Sequence, residues 1–245
     1  MIEASYIEKK YPGTGVALYL RELNIGAGEI VGVLGANGSG KTTLLKAIMG
    51  ISALSSGKLR VMGGRPDEHY EEMAYITEEG SFLQSMSPMD YGRFLSDFFP
   101  RFDHRRYQRL LEFYEVPRER KLRSFSKGQK LKVEISAGLA KSAKLIIMDE
   151  PFQGKDLLSR RELIRLAVSE LHEEQTLLIA THLISEIENV IDRAIILHEG
   201  RLKADVQIDE LREQGSSLTD ALTEAAGHTE KRVRRVLEAD EQSRS

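Results

Sequence analysis

The stretch IVGVLGANGSGKTTLLKAIMG, Ile30 to Gly50, decides the reading of the whole chain. Its first five residues, Ile30 to Leu34, are apolar without alternation, as in a strand covered on both faces. A glycine-rich loop, Gly35 to Thr43, follows, and the apolar spacing after it is helical. The loop matches G-x-x-x-x-G-K-[ST] in the strand-loop-helix setting that such a phosphate cradle requires. Gly35, Gly38 and Gly40 let the backbone turn back and aim N–H groups at phosphate oxygens, while the helix N-terminus adds its partial positive charge. Asn37, Ser39 and Thr43 belong to the same cradle. Lys41 is expected to reach the β- and γ-phosphates of a nucleotide, and the Thr42 hydroxyl to bind Mg²⁺.

Three more apolar runs have the same character: LIIM from Leu145, TLLIA from Thr176 and AIIL from Ala194. Helical patterns lie between them, such as Leu157, Ile164, Val168 and Leu171 on one side of a helix after Asp156. Strand and helix alternate, so the spacing predicts an α/β protein built on a largely parallel sheet. The run from Leu145 ends in two adjacent carboxylates, LIIMDEPFQGKD, and neighbouring acids there need a positive partner. Beside a phosphate cradle, Asp149 is expected to hold Mg²⁺ directly or through water, and Glu150 to face the water that attacks the γ-phosphate. This reading puts the acidic strand next to the strand of the P-loop. His182 follows the strand from Thr176; a lone histidine there is more often structural, but beside the other two motifs it reads as a γ-phosphate contact.

A chain of 245 residues with 41% hydrophobic and 30% charged residues can bury a full core. Its longest uncharged apolar stretch, Thr176 to Ser185, is ten residues, against the roughly 18 of a membrane span. No basic-then-apolar signal pattern opens it. The absence of cysteine excludes disulfides, thiolate metal sites and cysteine nucleophiles. A net charge of −3 gives no global drive toward nucleic acid, and none is expected as a partner. From Ser87 to Ser124 the chain is aromatic and charged with helical spacing and no strand, which predicts a small helical subdomain, about residues 87–140, inserted in the sheet domain. Beyond Ile208 the chain is polar and helix-like, with little to bury after Gly227.

Between the loop and the acidic strand lies SFSKGQKLK, Ser124 to Lys132. With it, residues 1–206 resemble the ATP-binding subunit of an ABC transporter, with Phe125 to Gln129 matching the signature LSGGQ and every motif in order. A serine cap followed by glycine explains Ser126, but not its neighbours in that order. The resemblance implies an α/β P-loop NTPase sheet core with an inserted helical subdomain, with residues 207–245 as a C-terminal extension. It implies an ATPase using ATP and Mg²⁺, in which Ser126, Gly128 and Gln129 form a second cradle facing ATP on the other subunit of a head-to-tail dimer. It also implies adenine stacking on Tyr11, a dimer contact by Asp156, and a separate membrane-spanning permease driven from the cytoplasmic face of the membrane.

Three departures stand out. Glu78 occupies the place of the family's metal-coupling glutamine, Lys127 replaces a signature glycine, and Gln153 and Lys155 occupy the dimer loop. Lys155 makes an unlike partner plausible, so homodimer and heterodimer both stay open. The stretch DFFPRFD and the lysine in Ser126-Lys127-Gly128 resemble small bacterial exporter-type ATPases. The coupling groove is expected near residues 78–99, with Phe82, Leu83 and one or two methionines exposed. Single-cassette organisation argues against soluble ABC ATPases of repair or translation, and Glu150 with His182 argues against a module that binds ATP without hydrolysing it.

Overall fold

A computed structural model of the chain describes residues 1–13, 15–77, 83–151 and 157–226. In chain order they form β1 (Ile2–Tyr11), β2 (Gly15–Ile25), β3 (Ile30–Leu34), α1 (Lys41–Ile48), β4 (Ser56–Val61), β5 (Met73–Thr77), α2 (Pro88–Phe98), α3 (His104–Phe113), α4 (Lys127–Ala140), β6 (Leu145–Asp149), α5 (Leu157–Ser169), β7 (Thr176–Thr181), α6 (Ile184–Ile187), β8 (Arg193–His198), β9 (Arg201–Gln207), α7 (Ile208–Glu213) and α8 (Leu218–Ala226). The strands make one nine-stranded sheet in the order β4-β1-β2-β9-β8-β3-β7-β6-β5. From β8 to β5 every neighbouring pair is parallel. β4, β1 and β2 form an antiparallel wing.

The four apolar runs are the parallel core, β3, β6, β7 and β8. Their lack of alternation has a direct cause. Leu145 and Ile147 of β6 share a buried cluster with Leu44, Leu45 and Ile48 of α1. Ile146 and Met148, on the opposite face, share another with Leu131, Ile135 and Leu139 of α4 and Ile164 of α5. Each such side chain contributes roughly 1.5–3 kcal/mol on burial, so a polar residue on either face of β6 would be costly.

The order of the central strands corrects one expectation: β6 is not beside β3. β7 stands between them, with Leu178 paired to Val31 on one side and to Ile147 on the other. The acidic strand still reaches the loop because α1 packs across β7 and β6 on one face of the sheet. Its first residues thereby lie over the end of β6.

The antiparallel wing was not anticipated from the sequence, and its registers show why. The core-facing residues are Ile2, Ala4 and Ile7 on β1, and Leu18, Leu20, Leu23 and Ile25 on β2. In each strand the period of two skips once. Against β4 the register of β1 shifts between Ser5 and Glu8, and Tyr6 there adopts φ 50° with its ring exposed. A bulge of this kind turns the strand and erases the alternation that marks a half-buried strand.

α2, α3 and α4 sit together between β5 and β6, as the aromatic, strand-free stretch implies. Ser87 caps α2 in a reciprocal pair with Asp90, with Pro88 in the first turn, and Pro100 follows the helix end. Tyr91, Leu95, Phe102, Tyr107, Leu110 and Leu111 form its core. Leu83 is exposed as expected, and so are Phe94, Phe98 and Phe113. Met86 and Met89 are half-buried against the core instead, and Phe82 lies outside the described residues. Beyond β9, α7 and α8 return to the sheet and bury Ile208 and Leu218. Among the described residues no helix is long and apolar enough to cross a membrane.

Candidate active site

Three parallel strands end side by side, and each hands over one piece of the site. β3 runs into the glycine loop, β6 ends at Asp149, and β7 delivers His182. The loop geometry depends on glycine. Gly40, at φ 103°, opens α1, and a Cβ on it would lie 3.1 Å from the Ala17 carbonyl oxygen. A Cβ on Gly35 would lie 2.3 Å from the Leu197 carbonyl oxygen, closer than any side chain tolerates.

Lys41 is only 5% exposed. Its Nζ donates to the carbonyl oxygens of Gly35 at 2.8 Å and Ala36 at 3.2 Å. It also stands 3.1 Å from Glu150 Oε1, an ion-pair distance at an angle that makes no hydrogen bond, so this buried oxygen has no hydrogen-bond partner. Glu150 itself adopts φ 45°, in the left-handed region that a non-glycine residue enters at a cost. Its N–H donates to Ala180 at 2.9 Å, anchoring the turn to β7. The turn lays the carboxylate between Lys41 and His182, whose Nδ1 is 2.9 Å from Glu150 Oε2.

Asp149 is buried and receives a hydroxyl on each oxygen. Thr42 donates to Oδ1 at 3.0 Å, and Tyr75 of β5 donates to Oδ2 at 2.8 Å. Burial, then the Asp149 charge, pushes the Tyr75 phenol well above its usual range. Tyr11 stands near the start of α1. Hydrogen bonds from Ser52 and then Thr43, together with the Lys9 ammonium, hold its phenol below its usual range against partial desolvation.

Lys41, Thr42, Asp149, Glu150 and His182 thus converge as the sequence implies. A 550 Å³ cleft beside them is walled by Asn37, Gly38, Gly40, Lys41, Thr42, Thr43 and Glu150. Val16, Ala17, Glu199 and Gly200 complete its walls and were not anticipated, because they come from the antiparallel wing and the β8–β9 turn. A larger cavity of 630 Å³ lies between the end of α1 and β4 and contains none of these residues. Ser126 and Gln129 do not reach the cleft. Ser126 caps α4, accepting from the Gln129 N–H at 3.2 Å, while Gln129 Oε1 accepts from the Ser126 N–H at 3.1 Å. A Cβ on Gly128 would lie 3.8 Å from Ser126 Oγ, an ordinary contact distance. Glu78, Gln153, Lys155 and Asp156 lie outside the described residues.

The donor set fits a magnesium-bound polyphosphate. Ser39 Oγ is buried at the loop without a hydrogen-bond partner, beside a buried ammonium and a helix N-terminus. Thr42 and Asp149 offer oxygen to a hard cation. Among the described residues no cluster of three or more His, Cys, Asp or Glu could hold a metal alone. Mg²⁺ is commonly held by one or two protein oxygens, with phosphate and water completing its coordination.

Comparison with known proteins agrees with this geometry. Residues 21–153 match the family model described as ABC transporter. The chain is 32% identical to the ABC transporter ATP-binding protein YtrB of Bacillus subtilis (strain 168), over 87% of this chain and 74% of that protein. It is 29% identical to the bacitracin transport ATP-binding protein BcrA of Enterococcus faecalis, over 90% of this chain and 73% of that protein. A solved ATP binding subunit of an ABC transporter superposes with a TM-score of 0.79 at 27% identity, covering 92% of this chain and 99% of that one. ATP-binding subunits of this kind use ATP with Mg²⁺ and work with membrane permease partners. The chain belongs to the ABC transporter family, as an ATP-binding and ATP-hydrolysing subunit.

Proposed function

We propose that Glu150 is the general base of this ATPase, that His182 and Lys41 stabilise the transferring phosphoryl group, and that transport runs outward through a membrane-spanning partner. The observation that carries the chemistry is the single carboxylate set 3.1 Å from Lys41 Nζ and 2.9 Å from His182 Nδ1. Lys41, Asn37, Gly38, Ser39, Gly40 and Thr43 hold the phosphates, and Tyr11 stacks on adenine. Thr42 and Asp149, with Glu78, hold Mg²⁺, which neutralises charge on the phosphate oxygens when bound. Glu150 accepts the proton of the attacking water. His182 keeps Glu150 oriented and faces the γ-phosphate.

Ser126 is exposed and Gly128 and Gln129 are half-buried, all three outside the cleft, which supports their use across a dimer seam, to which Asp156 is assigned as a further contact. Two such chains, or this chain and a related one, then enclose ATP head to tail at the inner face of the membrane. The ATPase unit spans residues 1–206 with its helical insertion at about 87–140, and the segment from residue 207 is an extension. Export is supported by the DFFPRFD stretch, the lysine of the signature and the likeness to a bacitracin transport protein.

The test is the native mass of the Glu150→Gln protein with and without MgATP. A dimer that forms only with MgATP supports the sandwich and self-pairing. A persistent monomer that still binds ATP refutes self-pairing and directs the search to an unlike partner.

A further inference from the structure

We infer that Tyr75 is a positioning residue of the metal site, fixing the carboxylate plane of Asp149 so that one defined edge faces the cation. The inference rests on the assignment of Asp149 as a Mg²⁺ holder. It follows from how the two oxygens are occupied. Oδ1 receives the Thr42 hydroxyl at 3.0 Å, and Thr42 is the loop residue that shares the cation with Asp149. Oδ2 receives the Tyr75 phenol at 2.8 Å.

A carboxylate held by one hydrogen bond can turn about its last torsion, whereas one held on both oxygens keeps its plane. The two donors come from opposite sides of the acidic strand. Thr42 descends from α1 over the sheet, and Tyr75 belongs to β5, which pairs with β6 in register Tyr75↔Ile147 and Thr77↔Asp149. Tyr75 is thus offset by two residues along the neighbouring strand, on the same face as Asp149, a diagonal that a long phenol spans. A phenylalanine would occupy the same space without the donor.

Ligand orientation by an outer hydrogen bond is worth about 10–100-fold in metal affinity. Tyr75→Phe is therefore expected to raise the Mg²⁺ concentration at half-saturation about tenfold. The experiment titrates a fluorescent ATP analogue bound to the full chain with Mg²⁺, and repeats it with Mn²⁺ read by electron paramagnetic resonance. Nucleotide affinity in excess chelator and the melting temperature serve as references, and both should stay near wild type in Tyr75→Phe. A wild-type Mg²⁺ midpoint in Tyr75→Phe overturns the inference. So does a loss of nucleotide affinity in chelator that matches the loss with metal, because a general folding defect would produce it. Asp149→Asn separates the two levels of reasoning. If it retains wild-type metal dependence, the assignment of the metal site itself fails. If it loses that dependence while Tyr75→Phe keeps it, only the positioning role fails.

Discussion

Glu150→Gln removes one charge and keeps the shape of the side chain, so its two consequences can be separated. The first is on the fold. Glu150 and Lys41 are 3.1 Å apart, with side chains 17% and 5% exposed. At an effective dielectric of about 20, the Coulomb attraction at that distance is about 5 kcal/mol. Most of it is offset by the cost of keeping both charges from water. Glutamine keeps a carbonyl dipole beside the ammonium, so the net destabilisation should be about 1–2 kcal/mol, or roughly 2–8 °C in melting temperature for a chain of this size. The second consequence is on chemistry. A missing general base costs about 10²- to 10⁴-fold in turnover, which is about 3–5 kcal/mol of barrier. The assay is phosphate release at saturating MgATP, with the melting temperature and nucleotide affinity of the same preparation measured alongside. A variant that stays folded, binds ATP and hydrolyses at the wild-type rate refutes the assignment of Glu150 as base.

Lys41→Ala removes the buried ammonium of the cleft, and should weaken nucleotide binding by about 2–3 kcal/mol, the worth of hydrogen bonds to a charged group; fluorescent-nucleotide titration measures it, and unchanged affinity would disprove the phosphate contact. Gly92→Ala should destabilise although alanine favours helices by up to about 1 kcal/mol. Its Cβ would lie 2.5 Å from Cε1 of the Tyr107 ring, which is 1% exposed and held by a 2.9 Å hydrogen bond to the Pro88 carbonyl oxygen. Overpacking costs about 1–3 kcal/mol, so denaturant melting should show a net loss, and a more stable variant would mean that the ring yields. Glu72 is held below its ordinary value of 4.5, first by the Lys144 ammonium at 2.6 Å and then by His69 and Arg101. Its folded state binds the proton less readily than its unfolded state, so this stabilisation is present above pH 4.5 and is lost as pH falls through the lower native value. The stability gap between wild type and Glu72→Gln should therefore close on acidification below pH 4.5, and a gap that stays constant as the pH is taken well below that value would exclude the linkage.

Much of this protein was legible without coordinates because its information is local. The loop from Gly35 to Thr43 needs left-handed glycines, one lysine and one hydroxyl within a few residues, and sequence displays them together. The parallel strands declare themselves by unbroken apolar runs, since α1 covers one face and α4 and α5 the other. The signature serine shows itself through a cap whose partner, Gln129, is three residues away. What depends on pairing between distant segments was decided only by the fold. The placement of β7 between β3 and β6 is a matter of strand order, which no single strand encodes. The antiparallel wing stayed hidden because its bulge breaks the period of two at Tyr6. The walls of the cleft at Val16 and Glu199 come from segments with no motif of their own. Tyr75 gives no signal in MAYIT; its hydroxyl acquires a role only when β5 pairs in register with β6 and brings it to Asp149, because a hydrogen bond between residues 74 positions apart is a property of the assembled sheet.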